Sequence, residues 1–209
     1  NSSIRVGHFK EPLRLEALTS SKYITFMERA LPIAFSPERN TGGMIYTSMG
    51  NMSMQIGAFK EGDSFGNDKS SNGNMNMTGR MTYLPINDGD RLLHIGAAMS
   101  KRKNASKTYS LKTRAENHLS PNKLISESFT DVENTEILAI EGAYVNRRLS
   151  LQGEYLRTTV NQNAIKQELN GYYGQISYFI TGDKKSYKNS YAGFSRVKPK
   201  NNFGKNGKG

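Results

Sequence analysis

Apolar and polar residues alternate with a period of two in several of the eight strand-like stretches of this chain: Ile4–Phe9, Thr41–Met49, Met52–Lys60, Met75–Leu84, Arg91–Lys101, Thr135–Asn146, Leu149–Val160 and Leu169–Ile180. In Met52–Phe59 one face carries Met52, Met54, Ile56 and Ala58, and the other Ser53, Gln55 and Gly57. In Met75–Leu84, Met75, Met77, Met81 and Tyr83 oppose Asn76, Thr78, Arg80 and Thr82. In Arg91–Ser100, Leu93, Ile95, Ala97 and Met99 oppose Leu92, His94, Gly96 and Ala98. The stretch Thr135–Asn146 is less regular, because Ile137, Ala139 and Val145 share a face with Glu141. Successive strand residues point to opposite faces, so each stretch presents one apolar and one polar surface.

The connections alternate as well. Short turns are expected at Gly50–Asn51, Pro85–Asp90 and Arg147–Arg148, and long polar loops at 61–74 and 102–134. Antiparallel strands of roughly 9–11 residues, with tight turns at one rim and long loops at the other, are the pattern of an all-β transmembrane antiparallel barrel. Its apolar face meets lipid and its polar face lines a lumen. Met52, Met54, Ile56, Met75, Met77, Met81, Leu93 and Ile95 should then form one outward band. Tyr83, Tyr144, Tyr155, Tyr172, Tyr173 and Tyr178, near strand ends, suit an interfacial girdle, although tyrosine favours any strand.

Residues 10–40 break the hairpin rhythm. Pro12 can open a short helix through Leu18, and Tyr23–Ala30 carries helix formers before Pro32. The apolar content of this loop (Leu13, Leu15, Ile24, Phe26, Leu31 and Phe35 among others) requires a surface to pack on. In a barrel that surface is the lumen wall, so the segment should fold inward and narrow the opening.

Composition limits the function classes. No stretch approaches the roughly 20 apolar residues of a membrane helix, and the mean hydropathy is -0.66. The absence of cysteine fits a periplasmic or outer-membrane setting. The net charge of +11 implies an anionic partner: nucleic acid, an acidic lipid surface or a small anion. The chain opens at Asn1 without an apolar leader and ends on Lys205–Gly209 without a closing strand, so a mature or internal portion of a longer barrel is expected.

The sequence resembles the phosphate-selective porin O and P family. The resemblance rests on Gly7-His8-Phe9-Lys10-Glu11-Pro12, Leu18-Thr19-Ser20-Ser21, Thr25-Phe26-Met27-Glu28-Arg29-Ala30 and Gly42-Gly43. It continues through Arg80-Met81-Thr82-Tyr83-Leu84-Pro85, Gln152-Gly153-Glu154-Tyr155, Tyr178-Phe179-Ile180-Thr181-Gly182 and Phe194-Ser195-Arg196-Val197-Lys198-Pro199. It implies a Gram-negative outer-membrane barrel of roughly sixteen strands, normally trimeric, with an inward loop and a lumen lined by Arg and Lys. About half of those strands are present, as one segment over 1–209 with the inward loop at 10–40 and an external loop at 102–134.

The resemblance also names a site. Ser20 and Ser21 match a serine pair whose hydroxyls donate to the anion, and Arg29 matches a pore-facing arginine. Strongly phosphate-selective members carry a lysine three residues before that pair, where this chain has Ala17; Lys22 and Arg14 are the nearby cations that could replace it. Arg39 and the lumen-facing Arg80 complete the candidate pore lining. Arg80 serves equally well as half of a structural ion pair. Its expected cross-strand neighbour is Gly96, with Thr82 beside His94.

Glu141 and Glu154 should face each other across the Arg147–Arg148 turn, a spacing open to acid/base chemistry but better matched to neutralising an arginine row. His8, His94 and His118 are too scattered for a metal site, and no phosphate-cradling glycine motif occurs, so neither catalysis nor a cofactor is expected. The expected function is passive diffusion of small inorganic anions such as phosphate or polyphosphate through a lipid-embedded porin that does not bind nucleic acid. The alternatives are a soluble basic β-domain for nucleic acid or acidic glycans, and a porin-derived scaffold in an outer-membrane complex. A soluble domain would have to cover the Met and Ile faces with a second sheet.

Overall fold

The computed structural model describes residues 1–37, 39–63, 65–67, 75–104, 106–163 and 165–200. Its main body is an eight-stranded antiparallel sheet. The strands are β1 (Ser2–Lys10), β2 (Arg39–Met49), β3 (Met52–Lys60), β4 (Asn76–Asn87), β5 (Arg91–Lys103), β8 (Val132–Asn146), β9 (Leu149–Gln162) and β10 (Ile165–Tyr178). They lie side by side in that order, with β1 and β10 at the edges, so the sheet is open. Among the described residues no helix is long and apolar enough to cross a membrane.

Side-chain alternation gives the sheet two unlike faces. Met52, Met54, Ile56, Met75, Met77, Met81 and Ile95 are all exposed on the outer face, with Met99, Ile140 and Leu151 extending the band across later strands. Leu93 on the same face is half-buried. Among the described residues no second sheet covers these side chains, and the band they form is a surface suited to acyl chains. Tyr83, Tyr155, Tyr172 and Tyr178 are exposed there, whereas Tyr173 turns to the inner face and its hydroxyl accepts from Gln152.

Tight turns close one rim. Gly50 takes a left-handed φ of +55° between β2 and β3, and Gly89 one of +87° between β4 and β5. β4 runs three residues past the expected end at Leu84, and its ladder slips between Tyr83 and Ile86. Pro85 has no N–H to give that ladder, so the irregularity falls there. Arg80 consequently stands opposite Ala98 and Thr82 opposite Gly96, each two residues from the expected partner.

At the other rim, long connections follow β1, β3 and β5. The fourth connection departs from expectation: β9 and β10 lengthen until Gln162 pairs with Ile165. Asn161, Gln162 and the residues from Ile165 onward are therefore rim strand rather than loop. The connection at 104–131 is also more ordered than an external loop suggests. It holds the hairpin β6 (Tyr109–Thr113) and β7 (Ile125–Phe129).

Three chain segments pack on the inner face. The first is the loop between β1 and β2, which contains a short helix, α1 (Leu15–Leu18), and a 3-10 turn over Leu31–Phe35. Tyr23–Ala30 is not helical. Pro32 begins the 3-10 turn instead of ending a helix, which its fixed φ favours. Leu13 and Phe35 pack on Ala98, Ile137, Ala139 and Leu156 of the wall, and Leu111 of the β6–β7 hairpin joins them. This explains the irregular pattern of β8, whose inward Ile137 and Ala139 face loop side chains instead of water. A Cβ on Gly171 would lie 2.6 Å from the Phe35 ring, so the missing side chain lets the turn approach β10.

The remaining inner segment follows β10. It contains β11 (Ser186–Lys188) paired with β12 (Gly193–Ser195). Phe194 is buried among Leu15, Leu84, Leu92, Ala143 and Val145.

Candidate functional site

Three buried charge networks fix the inner segments to the wall. In the first, Glu11 accepts from Arg102 Nη1, at 3.0 Å to each oxygen, and from Asn40 and Thr78. Arg102 also donates to Glu61 at 3.1 Å. In the second, Arg14 Nε donates to Glu154 Oε2 at 2.6 Å and Arg14 Nη2 to Glu16 Oε2 at 2.8 Å. The Glu16 N–H donates to Glu154 Oε1 at 2.8 Å, so one wall carboxylate holds both the backbone of α1 and the side chain of Arg14 just before it.

The third network centres on Arg80, which is only 2% exposed. Its Nε donates to Glu141 Oε1 at 2.9 Å, and its Nη2 donates to the Ala192 carbonyl at 2.7 Å. Glu141 also contacts His94 Nε2 at 2.8 Å, while His94 Nδ1 contacts the Tyr187 hydroxyl at 2.8 Å. Arg80 therefore faces inward, but its charge is engaged by protein rather than presented to the opening. Glu141 and Glu154 are register partners, as symmetric pairing about Arg147–Arg148 requires. Each carboxylate takes its own arginine.

The remaining candidates occupy different environments. Ser20 is half-buried; its carbonyl accepts the Tyr23 N–H at 2.9 Å. Ser21 and Lys22 are exposed at the turn that follows. Arg29 folds back under this turn, donating to the Thr19 carbonyl at 2.7 Å and the Glu16 carbonyl at 3.1 Å. Arg39 lies at the long-loop rim in a recess of about 790 Å³, with His8, Glu61, Asp63 and Arg102. Ser20, Ser21, Lys22 and Arg29 thus share one turn, whereas Arg39 and Arg80 stand apart from it. Arg14 is fully buried between two carboxylates and cannot take the role of a cation at position 17. Ala17 is itself buried, and its carbonyl accepts from Lys10.

One group was not evident from sequence. Lys185, after β10, is buried with its Nζ donating to Thr25 Oγ1 at 2.8 Å and to Gln152 Oε1 at 3.3 Å. Burial pushes its ammonium down to about 8, with attraction to Glu16 acting the other way. Burial also pushes the Glu16 carboxyl up to about 7; Arg14 opposes this and Glu154 reinforces it. Among the described residues no cluster of three or more His, Cys, Asp and Glu is arranged to hold a metal.

An antiparallel amphipathic sheet with an uncovered apolar outer face, a polar inner face and inward-packed loops is the architecture of a porin wall. The family model for phosphate-selective porin O and P matches residues 1–207. The chain belongs to that family. It is similar to Porin O of Pseudomonas aeruginosa, at 24% identity over 225 residues that cover 95% of this chain and 51% of the relative. It is also similar to an uncharacterized protein of Caulobacter vibrioides, at 28% identity over 220 residues covering 99% of this chain and 44% of the relative. The chain therefore spans about half the length of the curated relatives it matches.

Proposed function

We propose that this chain contributes wall strands and a constriction to an outer-membrane channel for passive diffusion of small anions, with phosphate among them. The observation that carries the reading is the attachment of residues 11–37 to the inner face through Arg14–Glu154 and Glu11–Arg102, with Ser21 and Lys22 left exposed on the turn beyond. Each anchoring arginine is paired with a carboxylate across the boundary between loop and wall, so the groups left to meet solute are hydroxyls and Lys22. Ser20 and Ser21 would donate to a passing oxyanion. Lys22 supplies unpaired attraction, and Arg29 maintains the turn by holding its carbonyls.

Arg39 adds positive charge at the long-loop rim, and Arg80 acts indirectly by fixing the segment at Ala192. Hydroxyls and one mobile ammonium give weak, reversible contacts, which permeation needs. With Ala17 in place of a lysine, the reading is general anion preference with modest phosphate discrimination. Long loops would face outward and tight turns the periplasm, in a Gram-negative outer membrane and a homotrimer.

The uncovered apolar band favours this reading over a soluble binder of nucleic acid or glycans. The test is a Lys22→Cys variant of the full-length channel in planar bilayers. Modification by a water-soluble anionic thiol reagent should lower the single-channel chloride current. A current indifferent to modification would place position 22 outside the path.

A further inference from the structure

Where the first inner turn meets the segment after β10, a recess of about 510 Å³ opens at the tight-turn side of the inner face. Lys22, Lys185 and Arg196 line it together with Thr25 and Ser177, and no aspartate or glutamate is among the described lining residues. That composition is unusual for this molecule, because the buried arginines Arg14, Arg80 and Arg102 each touch a carboxylate. Lys185 does not. Its ammonium donates to one hydroxyl and one amide oxygen, both neutral, and sits 4.6 Å from the centre of the Phe194 ring.

A lysine ammonium carries three donors, and two are engaged here. Its hydrogen-bond partners are neutral and Glu16 attracts it only through space, so burial of the cation stays costly and a mobile counter-ion would offset that cost. Lys185 is only 8% exposed, so its position is held by the fold and not chosen by solvent. Lys22 and Arg196 are exposed and free to close on an incoming charge.

We propose that this recess is an oxyanion-binding site in which Lys185 is the fixed charge, Thr25 and Ser177 supply hydroxyls, and Arg196 and Lys22 form the adjustable side. The ligand class is a small tetrahedral oxyanion, phosphate or sulfate. The arginine fork meets two oxygens of such a group while the ammonium meets a third. The site adjoins the Ser20–Ser21 turn and shares Lys22 with it, so a permeating anion would be handed between neighbouring positions. The proposal rests on the reading of the chain as part of an anion channel, and it deepens that reading by naming a binding position and its ligand class.

The experiment measures block of chloride current by inorganic phosphate in the full-length channel, for the wild type, Lys185→Gln, Lys185→Arg and Lys103→Gln. The Lys185→Gln variant should raise the half-blocking phosphate concentration about tenfold or more, as expected for loss of one charge-assisted contact. Lys185→Arg should recover most of it, and Lys103→Gln should leave it within about twofold. Equal block in Lys185→Gln and wild type overturns the site.

If Lys185→Gln yields no channels, sulfate block of the wild type is followed from pH 7 to 9. Sulfate does not titrate there, whereas Lys185 does; Lys22, Arg196, Tyr23, Tyr178 and Glu16 are the other titratable groups around it. Block should weaken several-fold over that range, and a flat profile overturns the proposal. Cation preference in the wild type, read from reversal potential in the same membranes, would overturn the channel reading itself and is a separate outcome.

Discussion

Arg80 on β4 reaches Glu141 on β8 across the intervening strand β5, with Nε 2.9 Å from the carboxylate Oε1. The contact is possible because the β5 residue beneath it is Gly96, the register partner of Glu141; a Cβ there would lie 2.5 Å from Glu141 Oε1. A β-sheet brings neighbouring strands together through its backbone, but this pair couples strands that share no ladder. It also joins them to the segment after β10 through Ala192.

Removing one member of this pair should therefore be severe. Glu141→Ala leaves the Arg80 charge buried with only neutral partners, which costs about 3–5 kcal/mol. The double variant Arg80→Leu with Glu141→Leu should cost less than the sum of the two single changes. The urea-unfolding midpoints of the wild type, the three single variants and the double variant measure both effects, and strict additivity would contradict the coupling.

Gly96→Ala tests the space beneath the pair. The new methyl forces Glu141 off Arg80 and His94, and overpacking of this kind costs about 1–3 kcal/mol. Gly142→Ala, where the nearest atom to an added Cβ is 3.9 Å away, should be nearly neutral in the same unfolding assay.

Stability should also depend on pH through Glu16. Its carboxyl is pushed up to about 7 in the fold, against 4.5 when unfolded. The folded state therefore holds the proton more tightly, so this contribution is fully present below about pH 4.5 and is lost as pH rises through 7. Unfolding midpoints at pH 5 and pH 8 should differ more in the wild type than in Glu16→Gln. An unchanged difference would show that Glu16 does not carry the effect.

Much of the wall was legible in sequence because period-2 alternation reports on a surface that meets one medium across many strands. It weakened at Ile137 and Ala139, where loop side chains replace water and the inner face becomes apolar. Helix formers at Tyr23–Ala30 misled for a related reason. Arg29 takes the carbonyls of Glu16 and Thr19, Glu16 accepts the Ala30 N–H, and these tertiary bonds outweigh local propensity. The Glu141–Glu154 pairing followed from the turn, whereas the Arg80 register was displaced by the irregularity at Pro85. Lys185 left no signal, since a lysine in a charged turn becomes notable only once Gln152 and Thr25, far away in sequence, are brought to it.

A charge placed on the outer band tests the lipid face. Met81→Lys should impair insertion into lipid vesicles by about 2–4 kcal/mol if it sits near the bilayer midplane. Lysine at exposed Lys103, near the long-loop rim, is already tolerated. Unimpaired insertion of Met81→Lys would mean that this face does not meet acyl chains.

Permeation tests the central claim most directly. With full-length channels in a planar bilayer under a potassium chloride gradient, the reversal potential should take the sign of chloride preference. Arg29→Ala, which releases the turn bearing Ser20, Ser21 and Lys22, should reduce that preference more than Lys103→Ala, whose charge is screened by salt. A reversal potential of the opposite sign, reporting potassium preference in the wild type, would contradict the account.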